Sequence, residues 1–164
     1  MKKLYFASES FWGIKGGTIM TNMSKFKFYF LSFTWGLPVT LLGLIMAFIC
    51  VICGKKPKKW GYCWYFEVGK HWGGTELGIF FIKDSSNSVH IKNHEHGHGL
   101  QNCYWGPLMI PVISLPSFLR YWYRRIIVKI YKNKKLPPYD SIWFEGQATR
   151  LGYEFMQNKF PHMK

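Results

Sequence analysis

The chain has 164 residues, with 22 Lys and Arg against eight Asp and Glu and a formal charge of +14. Its 20% aromatic and 48% apolar content excludes a disordered tail, and four cysteines without a regular framework exclude a disulfide-built secreted miniprotein. That length holds one domain with one core, and a basic, Trp- and Tyr-rich composition points to nucleic acid or an anionic membrane surface as partner.

The first element decides between these partners. Phe28 to Cys53 is 26 residues without a charge. As a helix it reaches roughly 39 Å, enough to cross a ~30 Å hydrocarbon core with tilt. The expected organisation is a tail at 1–27, a transmembrane helix at 28–53, a basic linker at 54–59 and a domain at 60–164. Gly36 and Pro38 lie near the start of the span, where a kink is tolerable. No small-x-small site follows it, so cleavage as a signal peptide is not expected. Lys55, Lys56, Lys58 and Lys59 follow at once, while Lys25 and Lys27 precede. If Met23 is the start, the positive-inside bias puts the C-terminal body on the cytoplasmic side; Lys2, Lys3 and Lys15 weaken that bias. Because the cations border apolar segments, anionic headgroups explain them and nucleic acid is not the expected partner. Cys50 and Cys53 form a CxxC pair inside the span and read as small apolar residues.

Tyr62–Val68 and Glu76–Lys83 are β-prone runs separated by Gly73-Gly74, read as an antiparallel pair. The polar loop 84–88 ends in good N-cap residues, and a helix is expected from Val89 to about Asn102. Tyr104–Leu119 is 16 uncharged residues broken by Pro107, Pro111 and Pro116. At about 24 Å it is short of a span, so it reads as buried, interfacial or re-entrant. Arg120–Tyr131 mixes aromatics with cations, as a helix at headgroup level does, making 104–131 a membrane-interfacial segment. A linker follows at 132–139. Asp140 or Ser141 then caps a last helix from Ile142 to about Gln157. The fold class expected is α+β: a transmembrane helix, then a short sheet, a histidine-rich helix and a final helix.

The chemistry lies in VHIKNHEHGHGLQ, residues 89–101, where His94, Glu95 and His98 satisfy HExxH. His94 and His98 are one helical turn apart, so both imidazoles can reach one ion. Glu95 points about 100° away, where it can hold and deprotonate a metal-bound water. His96 faces away from His94, toward a supporting or surface contact. His90 shares the face of His94 but lies about 12 Å from His98 along the axis, too far for one ion. Gln101 on that face is structural or substrate-facing. A third ligand must come from the few acids. Gly and His would be needed at 101 and 104 for the metzincin extension, and Gln101 and Tyr104 stand there. Among the acids, Glu145 has Ala148 and Gly152 on its helix face, small residues that permit close approach to the HExxH helix; Asp140 reads as a cap, and Glu154 remains.

This combination resembles the gluzincin zinc metallopeptidases, in which HExxH on one helix is completed by a Glu on a later one. EGQA, residues 145–148, looks like the E-x-x-A portion of the motif in HtpX and CAAX-prenyl-protease type membrane peptidases, which continue with Asp where this chain has Thr149. The pattern HExGHxxQN…GPL…PS…WxExxA, over about residues 30–152, is also similar to a group of small bacterial membrane proteins regarded as peptidases. The resemblance implies a zincin-like domain at 60–164 with metal ligands His94, His98 and Glu145, one Zn2+ per chain and Glu95 as base. It also implies a single-pass bacterial plasma-membrane location and a peptide or protein substrate. Expected oxyanion donors are Tyr139, Tyr153, Arg150 and His162, without a choice among them. The competing readings are a non-hydrolytic metal-binding membrane protein and a basic lipid- or nucleic-acid-binding module.

Overall fold

The computed structural model describes residues 20–131 and 135–163. Most of the expected tail, with Glu9 and Lys2, Lys3 and Lys15, and part of the 132–139 linker therefore lie outside the described residues.

The uncharged stretch does not form one helix. It folds as α1 (Lys25–Phe33) and α2 (Leu37–Ile52), bent by 92° between them. Among the described residues no single helix is long and apolar enough to cross a membrane, although the bent pair together meets that length and composition. The break has a local cause. Gly36 stands at the N-cap and Pro38 in the first turn, where its missing N–H costs no hydrogen bond. Tertiary bonds hold the corner: Asn102 Nδ2 donates to the Gly36 carbonyl at 3.3 Å, and Trp35 Nε1 to the Tyr104 carbonyl at 3.2 Å.

Four strands follow: β1 (Lys58–Trp60), β2 (Cys63–Glu67), β3 (Gly74–Leu77) and β4 (Phe80–Lys83), in the order β1-β2-β4-β3. The expected antiparallel pairing of the two β-prone runs is corrected. Gly78-Ile79 makes a two-residue turn inside the second run, so β3 and β4 form an antiparallel hairpin and β4 pairs with β2 in parallel. Gly78 has φ +76°, as a tight hairpin needs at its first central position.

The sheet buries both faces. Cys63, Tyr65 and Phe81 pack with Leu100, Cys103, Leu151 and Phe155, while Phe66 packs with Ala47 and Cys50 of α2. Helix α3 (Val89–Trp105) starts at Ser88, whose hydroxyl accepts from the Ile91 N–H at 3.2 Å. A 3₁₀ turn at Gly106–Leu108 and a π-helical turn at Ile110–Ser114 carry the proline-broken stretch into α4 (Leu115–Ile130). Met109 and Ile113 pack with Val39 and Phe144, so that stretch turns back beneath the body and is partly buried.

After a 3₁₀ turn at Tyr139–Ser141, α5 (Trp143–Lys159) closes the chain against α3. Neither Asp140 nor Ser141 caps it: Ile142 is at the N-cap, without a side-chain capping bond. The 3₁₀ turn carries Asp140 away from the helix N-terminus toward Thr149, one face further along α5.

Candidate metal centre

The site forms where α3 crosses α5. A Cβ on Gly152 would lie 1.8 Å from the Asn93 carbonyl oxygen, and one on Gly97 would lie 1.9 Å from that of Ala148. No side chain fits between these backbones, so the absence of a Cβ at both residues sets the helix separation. At that separation Glu145, in the first turn of α5, reaches across to α3.

Glu145 Oε2 lies 3.0 Å from His94 Nε2 and 3.1 Å from His98 Nε2, and the two Nε2 atoms are 3.1 Å apart. These three residues form a group that can hold a metal ion. Ligands tetrahedrally placed about 2.0–2.1 Å from an ion sit about 3.3 Å from one another. The donor triangle is within a few tenths of an ångström of that size.

Hydrogen bonds on the far side of each ring orient the donors. Gln101 Nε2 donates to the Phe144 carbonyl at 2.9 Å and to Gln147 Oε1 at 2.8 Å. A carbonyl only accepts, which orients the amide and turns Gln101 Oε1 to His98 Nδ1 at 2.7 Å. His98 therefore carries its proton on Nδ1 and directs the Nε2 lone pair at the other donors. His94 Nδ1 makes the equivalent bond to Thr149 Oγ1 at 2.8 Å, and Thr149 donates in turn to Asp140 Oδ2 at 3.5 Å. Two imidazole lone pairs and a carboxylate oxygen thus converge on one point, an arrangement that a cation or a shared proton must relieve.

The charges correspond to the shared-proton form, with His98 holding the proton toward Glu145. Burial opposes ionisation of Glu145, but the bonds to His94 and His98 outweigh it and hold its carboxyl well below the usual carboxylate range. Burial pushes the His94 ring down. It acts the same way on His98, yet Glu145, Glu95 and Glu76 outweigh it and raise that ring to about 9. Glu95 is pushed up to about 8 by burial. Its carboxylate lies against β3, where a Cβ on Gly74 would come within 2.6 Å of Oε1.

The other expected residues sort by contact. His96 is fully buried rather than at the surface: Nε2 accepts from the Tyr62 N–H at 3.2 Å, and the ring stacks on Phe28 and Phe155. His90 stays outside the ligand group, with Nδ1 3.3 Å from Tyr153 Oη. Gln101 is structural. Arg150 is exposed, as is His162. Tyr139 lies beside the site, its ring 6.4 Å from that of His94 and its Oη 3.1 Å from Ser117 Oγ.

Sequence reasoning missed two contributors. Ser117 of α4 donates its hydroxyl to Glu145 Oε1, the oxygen turned away from the histidines. Its only trace in the sequence was the PS of the longer pattern. Glu76 in β3 is buried, accepts from the Gly78 N–H and is pushed up to about 8 by burial. Nothing about an isolated Glu in a β-prone run distinguishes it. No family model matches the chain, and neither the curated proteins nor the solved structures contain a match.

Proposed function

We propose that this chain is a membrane-anchored, metal-dependent peptidase of the gluzincin kind, with zinc at His94, His98 and Glu145. The observation that carries this reading is the convergence of three donor atoms on one point, with Glu95 buried next to His94 on the same helix. An ion bound there supplies Lewis acidity, polarising a carbonyl and lowering the pKa of water to about 7. Zinc suits an imidazole-carboxylate set, and other divalent ions compete for the same ligands.

The chain's own residues do the rest. Glu95 accepts the proton of the attacking water on its carboxylate and delivers it to the leaving amine, a contribution of ~10²–10⁴-fold. Gln101 and Thr149 hold the histidine rings in their ligating orientation. Tyr139 is the best-placed of the four oxyanion candidates. β3 is the last strand of the sheet and borders Glu95, so an extended peptide pairing with its outer edge passes the base.

Membrane anchoring is supported by the exterior of α2, where Leu41, Ile45, Phe48 and Ile52 are exposed, the last two at 67% and 69%. A row of this kind has no favourable environment in water and a good one in lipid. The basic Lys55, Lys56, Lys58 and Lys59 beyond it suit anionic headgroups and the cytoplasmic face of a bacterial plasma membrane.

A second reading has one observation in its favour: Glu145 is fully buried and His98 is only 6% exposed, as at a structural metal site. One experiment separates the two. Detergent-purified protein is expected to hold about one zinc per chain, lost in His98→Ala and Glu145→Ala. Glu95→Gln should keep the metal and lose peptide cleavage. Zinc retained in Glu145→Ala moves the third ligand elsewhere, and zinc-loaded wild type without cleavage of any peptide in a broad library leaves the structural reading.

A further inference from the structure

Helix α4 is built inside out. The side chains it turns toward the body are polar for the most part: Ser117, Arg120, Tyr121 and Arg124 are half-buried, joined by Ile127. The side it turns outward carries Leu115, Leu119, Trp122, Ile126 and Ile130, all about half exposed or more. Their spacing of four, three, four and four places them in one stripe along the helix. No residue of α4 is fully buried.

What holds α4 to the body is therefore a polar clasp, and that clasp closes on the metal site. Ser117 donates to Glu145 Oε1 and lies 3.1 Å from Tyr139 Oη. Arg120 Nη2 donates to the carbonyls of Pro138 and Tyr139, both at 3.0 Å, and to Ser141 Oγ at 3.1 Å. Arg124 Nη1 donates to the Pro137 carbonyl at 2.6 Å. Water competes for the exposed bonds of Arg120 and Arg124, and in water the outward stripe favours rotation or detachment of the helix. Only an apolar phase outside stabilises the stripe where it is. Exposed Arg125 and Lys129 flank that stripe, which makes a bilayer with anionic headgroups the complementary surface.

We propose that α4 docks on an anionic lipid surface and that this docking holds Ser117 on Glu145, so that the metal site reaches full affinity only at the membrane. Ser117 is a positioning residue: it contacts the ligand's outer oxygen and leaves Oε2 free for the ion. The inference rests on the metal and membrane reading above and adds to it a coupling between lipid and metal that neither requires.

The test reads zinc affinity by chelator competition on the full chain in bilayer discs, with no peptide substrate. In phosphatidylcholine with phosphatidylglycerol at about three to one, Ser117→Ala and the double variant Trp122→Glu/Ile126→Glu should each weaken zinc by ~10–100-fold, the usual range for a lost supporting bond. The triple variant should be no weaker than either, because all remove one link. Trp122→Leu/Ile126→Leu keeps the stripe apolar and should bind zinc like the wild type, which separates lipid docking from damage to the fold. Wild type should bind more weakly in pure phosphatidylcholine. Equal zinc affinity in all variants, or additive losses in the triple, overturns the coupling and leaves the metal site standing. Failure of every form to bind zinc overturns the metal reading and this inference together.

Discussion

Helices α3 and α4 invert each other. From Lys92 to Cys103, α3 is buried without interruption, although that stretch is mostly Asn, His, Glu, Gln and Gly. In α4 no residue is buried, although Leu, Ile, Phe and Trp line one side of it. In a chain stabilised only by burying apolar surface away from water, these roles would be exchanged. Asn93, His94, His98 and Gln101 enter the centre of this molecule with partners there, which matters because an unpaired buried polar group costs about 1–3 kcal/mol. Apolar groups remain outside on α2 and α4, which the proposed lipid environment accounts for.

The sharpest way to break the comparison is to press on the inner helix crossing and on the outer surface separately. Gly152→Val inserts atoms where a Cβ alone would meet the Asn93 carbonyl at 1.8 Å. Backbone must move, and the expected loss is at or above the ~3 kcal/mol upper end for overpacking, with the donor triangle pulled apart. Phe48→Ser, on the outward side of α2, should change stability in detergent by no more than about 0.5 kcal/mol, as surface substitutions usually do. Thermal unfolding in one detergent measures both, and a similar loss at both sites would abolish the distinction between inner and outer surfaces.

A smaller effect is expected from the bonds behind the ligands. Gln101→Leu removes the acceptor that keeps the proton on His98 Nδ1 and also the amide bonds to the Phe144 carbonyl and to Gln147 Oε1. Zinc affinity should fall ~10–100-fold with stoichiometry unchanged. An unchanged affinity would mean that the polar centre of α3 is packing rather than ligand support.

The smallest effect belongs to the loop that launches α3. Asp84 is held down at about 2, chiefly by the Ser86 hydroxyl, with further bonds from the backbone N–H groups of Gly73, Ser86 and Trp72. Its folded value is below the ~3.9 of an unfolded Asp, so its contribution is full above about pH 4 and is lost as pH falls through about 2. Asp84→Asn should remove the slope in that window, lowering stability above about pH 4 and leaving it close to the wild type below about pH 2. Denaturant titrations at several acidic pH values check this.

Parts of the fold were legible because they depend on neighbours in sequence. Ser88 and the HExxH spacing announce α3 through a cap and a helical turn, both local. Ala148 and Gly152 announced that α5 can approach closely, since small side chains leave room whatever lies opposite. Glu145 could be nominated because so few acids exist in the chain. The break between α1 and α2 was legible only as a tolerable kink: Gly36 and Pro38 permit it, while Asn102 and Trp35 set its angle from far away. The pairing of β2 with β4 was misread because Gly78 sits inside a run whose composition is uniformly β-prone.

The sequence by itself determined which atoms are available for chemistry: two imidazoles a turn apart, a carboxylate between them in sequence, and one further Glu flanked by small residues. It also determined that long apolar runs alternate with cations, because composition is independent of folding. Only the tertiary structure decided that Glu145 Oε2 stands 3.0–3.1 Å from both imidazoles. It likewise decided that Gln101 and Thr149 aim those rings, that Asp140 serves Thr149 instead of a helix end, and that Ser117 arrives from α4. These are contacts between residues 9 to 55 positions apart or across a helix turn, and side-chain hydrogen bonds of that reach exist only after the backbone has placed both partners.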